Sequence, residues 1–64
     1  LEILTKRELE ILKLIANSSF NKNIASKLKI SIRTVETHRA NLSNKLGIKN
    51  TAGLVKYAIS KGLV

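Results

Sequence analysis

The chain has 64 residues, with twelve Lys or Arg against four acids (Glu2, Glu8, Glu10 and Glu36) and a formal net charge of +8. Its size suits one small domain, and with no Cys, no Asp and a single His it has no disulfide framework, thiolate zinc site, thiol nucleophile, Ser-His-Asp triad or two-His metal face. No apolar run approaches the ~18 residues of a membrane span, the opening residues are not expected to act as a signal peptide, and an apolar content of 44% suits a soluble folded domain.

The elements read in chain order as helices. Thr5-Lys6-Arg7-Glu8 is a capping-box pattern, in which Thr5 accepts from the backbone of Glu8 and Glu8 reaches back. Leu4 and Leu9 fit the accompanying hydrophobic staple. Leu9, Leu12, Ile15 and Ala16 repeat at helical spacing, so the first helix is expected over about 6–17, ending in the turn formers Asn17, Ser18 and Ser19. Asn21 is the expected cap of a second helix over 22–28, with Ile24, Ala25 and Leu28 as its apolar stripe. Lys29-Ile30-Ser31 is long enough only for a tight turn, and Ser31 can cap the next helix.

The third helix is expected over Ile32 to Leu46. At 100° per residue, Val35, His38, Leu42 and Leu46 share one face; Arg33, Glu36, Thr37, Ala40 and Asn44 fall on or near the opposite one. Arg39 and Lys45 flank the apolar stripe. Gly47 is a natural left-handed terminator, with Ile48 folding back behind it. The fourth helix starts near Asn50 or Thr51 and runs to about Lys61, where Gly62 stops it and Leu63 follows. Leu54, Val55 and Ala58 form its core stripe, with Tyr57 at the core rim. No strand signal, repeat or linker interrupts this all-α pattern.

Charge is unevenly placed along these helices. Residues 1–20 are neutral overall, residues 21–49 carry +6 with Glu36 as their one acid, and residues 50–64 carry +2. A polyanion-binding surface concentrates charge in this way. Within that basic stretch, Ile24, Ala25, Leu28, Ile30 and Val35 have helix-turn-helix spacing. Small Ala25 lets the helices approach, Ile30 plugs the turn, and the first turns of the third helix project polar side chains outward.

Several longer words then become specific: Leu4-Thr5-Lys6-Arg7-Glu8, Asn21-Lys22-Asn23-Ile24-Ala25, Ser31 through Leu42, Lys45-Leu46-Gly47-Ile48, Leu54-Val55-Lys56-Tyr57-Ala58 and Gly62-Leu63-Val64. In this order they resemble the LuxR-type helix-turn-helix domain, of the FixJ/NarL response-regulator branch, over essentially the whole chain. The resemblance implies a four-helix DNA-binding domain of a bacterial transcription regulator, spanning 1–64 with its helix-turn-helix at 21–40, C-terminal in a longer protein. It also implies a cytoplasmic homodimer formed through the fourth helix on an inverted-repeat operator, with RNA polymerase as a further partner and no cofactor. The controlling input is a receiver domain or, alternatively, a small-ligand domain; a stand-alone regulator is a further alternative. The run Thr34-Val35-Glu36-Thr37-His38-Arg39-Ala40-Asn41 favours the receiver. Two positions depart from the family: Lys29 stands where the turn often has Gly, and Gly53 where the fourth helix often has Glu.

Carried onto this chain, the resemblance places Glu36, Thr37, Ala40, Asn41 and Asn44 at the bases. A carboxylate accepts from a cytosine amine, and the Thr and Ala methyls meet thymine methyls. Lys22, Asn23, Arg33, Thr34, Arg39 and Lys45 are the phosphate candidates. Lys27, Lys29 and Lys49 read as diffuse solvated charge. Ala52, Val55, Lys56 and Ile59 are the candidate dimer surface. His38 reads as a packed, hydrogen-bonded histidine and not as a metal ligand, because the chain offers no second ligand. Rival readings fit less well. A membrane-surface peptide needs one large apolar face, single-stranded RNA binding needs more than two aromatics, and an enzyme needs an acid, base and nucleophile that are not here.

Overall fold

The computed structural model describes residues 3–17 and 20–64. Four helices follow in chain order: α1 (Lys6–Ala16), α2 (Asn21–Leu28), α3 (Ile32–Leu46) and α4 (Thr51–Ser60). Among the described residues there is no strand, so the fold is all-α as expected. The turn expected at Ser18 and Ser19 lies outside the described residues.

The capping box starts α1. The Glu8 amide donates to Thr5 Oγ1 at 3.1 Å, and the Thr5 amide donates to Glu8 Oε1 at 2.9 Å. Two of the four backbone donors that a helix start leaves unpaired are thereby satisfied. Leu4 enters the core and Leu9 packs at its margin. The expected stripe omitted Ile11, which is fully buried. The reason is that α1 packs on both α4 and α3, with lighter contact to α2. A helix enclosed by three others buries a wider arc than a one-sided surface helix.

The start of α2 corrects the sequence reading. Asn21 is the first helical residue, and the cap position belongs to Phe20, whose extended backbone leads into the helix with no side-chain cap. The Asn21 side chain accepts instead from Arg39. Ser31 caps α3 as expected, accepting from the Thr34 amide at 3.0 Å. Asn50 caps α4, accepting from the Gly53 amide at 2.7 Å.

Three helices end alike. Lys29, Gly47 and Gly62 adopt the left-handed conformation with φ of 58°, 69° and 70°. The amides of Ile30, Ile48 and Leu63, one residue on, donate back to the carbonyls of Ala25, Ser43 and Ala58 at 3.0, 3.1 and 2.9 Å. This is the Schellman closure, and each apolar residue after it packs on the core margin. At the helix-turn-helix corner the closure uses Lys29, whose Cβ costs about 1 kcal/mol in that conformation.

Gly53 has a steric reason that the sequence did not show. A Cβ there would lie 2.6 Å from Ile48 Cγ2 and 3.1 Å from the capping Asn50 Oδ1. The bare backbone lets Ile48 close over the first turn of α4. The core joins Ile11, Leu12 and Ile15 of α1 to Ile24, Ala25, Val35, Leu42, Leu54 and Ala58. Glu8 is the one buried charged residue among those described.

Candidate nucleic-acid interface

Helix α2 packs against α3 through buried Ile24, Ala25 and Val35, with Leu28 and Ile30 half-buried at the corner. That packing fixes which way α3 faces. Val35 and Leu42 point inward; His38 and Leu46 lie at the boundary. Arg33, Glu36, Thr37, Ala40, Asn41 and Asn44 are all exposed. Lys22 and Asn23 are exposed on the first turn of α2. His38 is packed as expected, but its ring makes no hydrogen bond among the described residues.

The polar partners divide these side chains into free and committed groups. Among the described residues, Glu36 pairs with neither Arg33 nor Arg39, so an unpartnered carboxylate stands on the exposed face. Lys22 and Arg33 likewise have no ion pair among the described residues. Thr37 donates its hydroxyl to the Arg33 carbonyl at 3.0 Å, which commits the proton but leaves the oxygen lone pairs and the methyl. The Thr34 hydroxyl sits 2.8 Å from Ser31 Oγ within the α3 cap. Asn44 Oδ1 accepts a long 3.4 Å bond from Lys49. No acid occupies the first turn of α2, α3 or α4, so the partial positive charge of those helix starts is not offset there.

Arg39 and Lys45 differ from the other phosphate candidates because each already holds partners inside the fold. Arg39 donates from Nη1 to Asn21 Oδ1 at 3.2 Å and from Nη2 to Thr51 Oγ1 at 2.8 Å. Lys45 donates from Nζ to Glu8 Oε1 at 2.7 Å, joining the end of α3 to the start of α1. Glu8 is therefore held by the Lys45 ammonium and the Thr5 amide, and these contacts lower its pKa against the opposing effect of burial. Sequence reasoning missed this pair because 37 residues separate its members. The one available signal was the flanking position of Lys45, beside the apolar stripe and not opposite it.

On α4, Ala52 and Lys56 are exposed, Val55 is half-buried, and Ile59 is 59% exposed. Leu54 and Ala58 face the core. Tyr57 packs at the core rim as expected, with the Lys61 ammonium 5.7 Å from its ring centroid. Among the described residues no group of His, Asp or Glu side chains could hold a metal ion, and no helix is long and apolar enough to cross a membrane.

Comparison with known proteins decides the lineage. Residues 2–58 match the family described as bacterial regulatory proteins, luxR family. The chain belongs to the LuxR family. It is 52% identical over 63 residues to the oxygen regulatory protein NreC of Staphylococcus aureus, in strains NCTC 8325, MSSA476 and bovine RF122 alike. Those alignments cover 98% of this chain and 29% of each relative, so the chain spans under a third of their length. As a LuxR-family helix-turn-helix, the domain binds DNA and serves transcription regulation. The exposed α3 face and the start of α2, with no acid in its first turn, both lie on the surface of this domain.

Proposed function

We propose that this domain is the DNA-reading end of a bacterial two-component response regulator and acts in the cytoplasm by binding, without catalysis. Helix α3 enters the major groove, with Glu36, Thr37, Ala40 and Asn41 at base edges and Asn44 at the far end of the contact. Glu36 accepts from a cytosine amine, and Thr37 and Ala40 offer methyl groups to thymine. Lys22, Asn23, Arg33 and Thr34 meet phosphates and set the register. Arg39 and Lys45 reach a phosphate only by releasing their internal partners. Helix α4 pairs two copies through Ala52, Val55, Lys56 and Ile59, so that two α3 helices meet half-sites about one helical turn apart. RNA polymerase meets the bound dimer on surface left free by DNA.

The observation that carries this reading is an exposed α3 face bearing one unpartnered carboxylate, Glu36, within a stretch whose other charged residues are all cations. A carboxylate there is repelled by phosphates in general, and is retained where it reads a donor on a base edge. Selection from random duplex DNA, followed by sequencing, tests the whole proposal. An enriched inverted repeat with a cytosine preference that Glu36→Ala relaxes is the expected result. Salt-sensitive binding with no enrichment, or an unchanged site in the variant, contradicts it.

A further inference from the structure

We propose that Arg39 is a positioning residue, which fixes the starts of α2 and α4 against α3 and does not neutralise a phosphate. The inference rests on DNA binding by this domain and goes beyond it. The guanidinium leaves the flank of α3 and reaches Asn21, the first residue of α2, and Thr51, the first residue of α4. Two terminal nitrogens of one rigid plane thus hold two helix starts at once.

Among the described residues, Arg39 makes the one side-chain hydrogen bond from α3 to each of these starts, beside the apolar packing of Ile24 and Ala25 of α2 on α3. The start of α2 has no side-chain cap and no acid. Helix α4 packs mainly on α1, and its packing against α2 and α3 is slight. Without Arg39, no other side-chain hydrogen bond joins α4 to α2 or α3 among the described residues. The cation also sits beside the positive ends of two helices, which is electrostatically unfavourable. What holds it there is hydrogen-bond geometry, to a neutral amide oxygen and a neutral hydroxyl. A lysine carries the same charge but lacks the fork that spans two acceptors.

Positioning and phosphate contact make opposite demands on three variants. Affinity of the domain for a labelled duplex is measured across a salt series for the wild type, Arg39→Ala, Arg39→Lys, Thr51→Val and the Arg39→Ala/Thr51→Val double variant. Thermal melts confirm that each is folded, and Thr51→Val is the mildest change because it keeps the side-chain shape. As a positioning residue, Arg39 gives about fivefold weaker binding in both Arg39 variants and in Thr51→Val. The double variant is then no weaker than Arg39→Ala alone, and the salt slope is unchanged throughout. Wild-type affinity in Arg39→Lys, with a slope flatter by about one ion in Arg39→Ala, overturns the proposal in favour of a phosphate contact. A wild-type domain that fails to bind duplex DNA overturns the DNA-binding reading, and the positioning role falls with it.

Discussion

At the start of α1, Thr5 and Glu8 satisfy each other's backbone amides, and Glu8 then accepts from Lys45. At the start of α2, Phe20 offers no side-chain acceptor and no acid follows in the first turn. Helix α1 buries Ile11, Leu12 and Ile15 and α2 buries Ile24 and Ala25, so each is anchored by apolar packing behind its start. The effect of the difference between the starts is electrostatic. An acid near a helix start offsets the partial positive charge there, and its omission leaves that charge to act outward. In α1 the acid is folded inward as part of the scaffold. In α2 and α3 acids are withheld, except for Glu36 on the exposed face. The neutral N-terminal third and the basic middle of the chain are thus two solutions to the same problem of starting a helix, one serving stability and the other, in the function proposed, serving DNA.

The largest effect is expected from breaking the scaffold side. Glu8→Ala removes the acceptor of the Thr5 amide, one half of the capping box, and leaves the partly exposed Lys45 ammonium without its partner, which should cost about 2–3 kcal/mol in urea unfolding. A domain this small has only a few kcal/mol to lose, so Glu8→Gln, which keeps the shape and one acceptor, gives a measurable intermediate. DNA affinity per folded molecule should not change in either variant.

The same pair sets a pH dependence. The contacts from Lys45 and Thr5 hold the Glu8 carboxyl below its ordinary value of 4.5. Below that ordinary value the unfolded chain binds a proton that the folded chain still refuses, so stability falls as pH falls. Its contribution is complete above the ordinary range and disappears as pH passes down through the lowered value. Unfolding measured across acidic pH should show this slope in the wild type and a smaller one in Glu8→Gln.

On the other side of the comparison, Glu36→Ala should leave stability nearly unchanged and reduce discrimination at one base position by about 1–2 kcal/mol, read from binding to single-base operator variants. The smallest effect is a gain. Lys29→Gly relieves the left-handed strain at the corner and should raise stability by roughly 1 kcal/mol or slightly less, visible as a higher melting temperature.

These outcomes separate what local sequence carries from what it does not. Ser31, Asn50, Gly47 and Gly62 mark helix ends by chemistry confined to a few residues, and the bounds of α3 could be read from them directly. Asn21 misled because it is a strong capping type, yet its oxygen was claimed by Arg39, 18 residues away. Ile11 lay off the expected stripe because a single helix does not reveal how many neighbours enclose it. Gly53 read as a missing acid, whereas the close approach of Ile48 explains it. At the interface, exposure of the α3 face followed from helical period alone. The commitments of Arg39 and Lys45 did not, since both flank the stripe and their partners belong to other helices.

Backbone amide shifts during titration with duplex DNA test the division between the two surfaces most directly. The account predicts that perturbations cluster at residues 21–23 and 31–41, while the exposed residues of α1 stay unmoved even though Lys6, Arg7 and Lys13 are cations too. Perturbations spread over the exposed face of α1, or absent from the start of α2 and the outer face of α3, would contradict it.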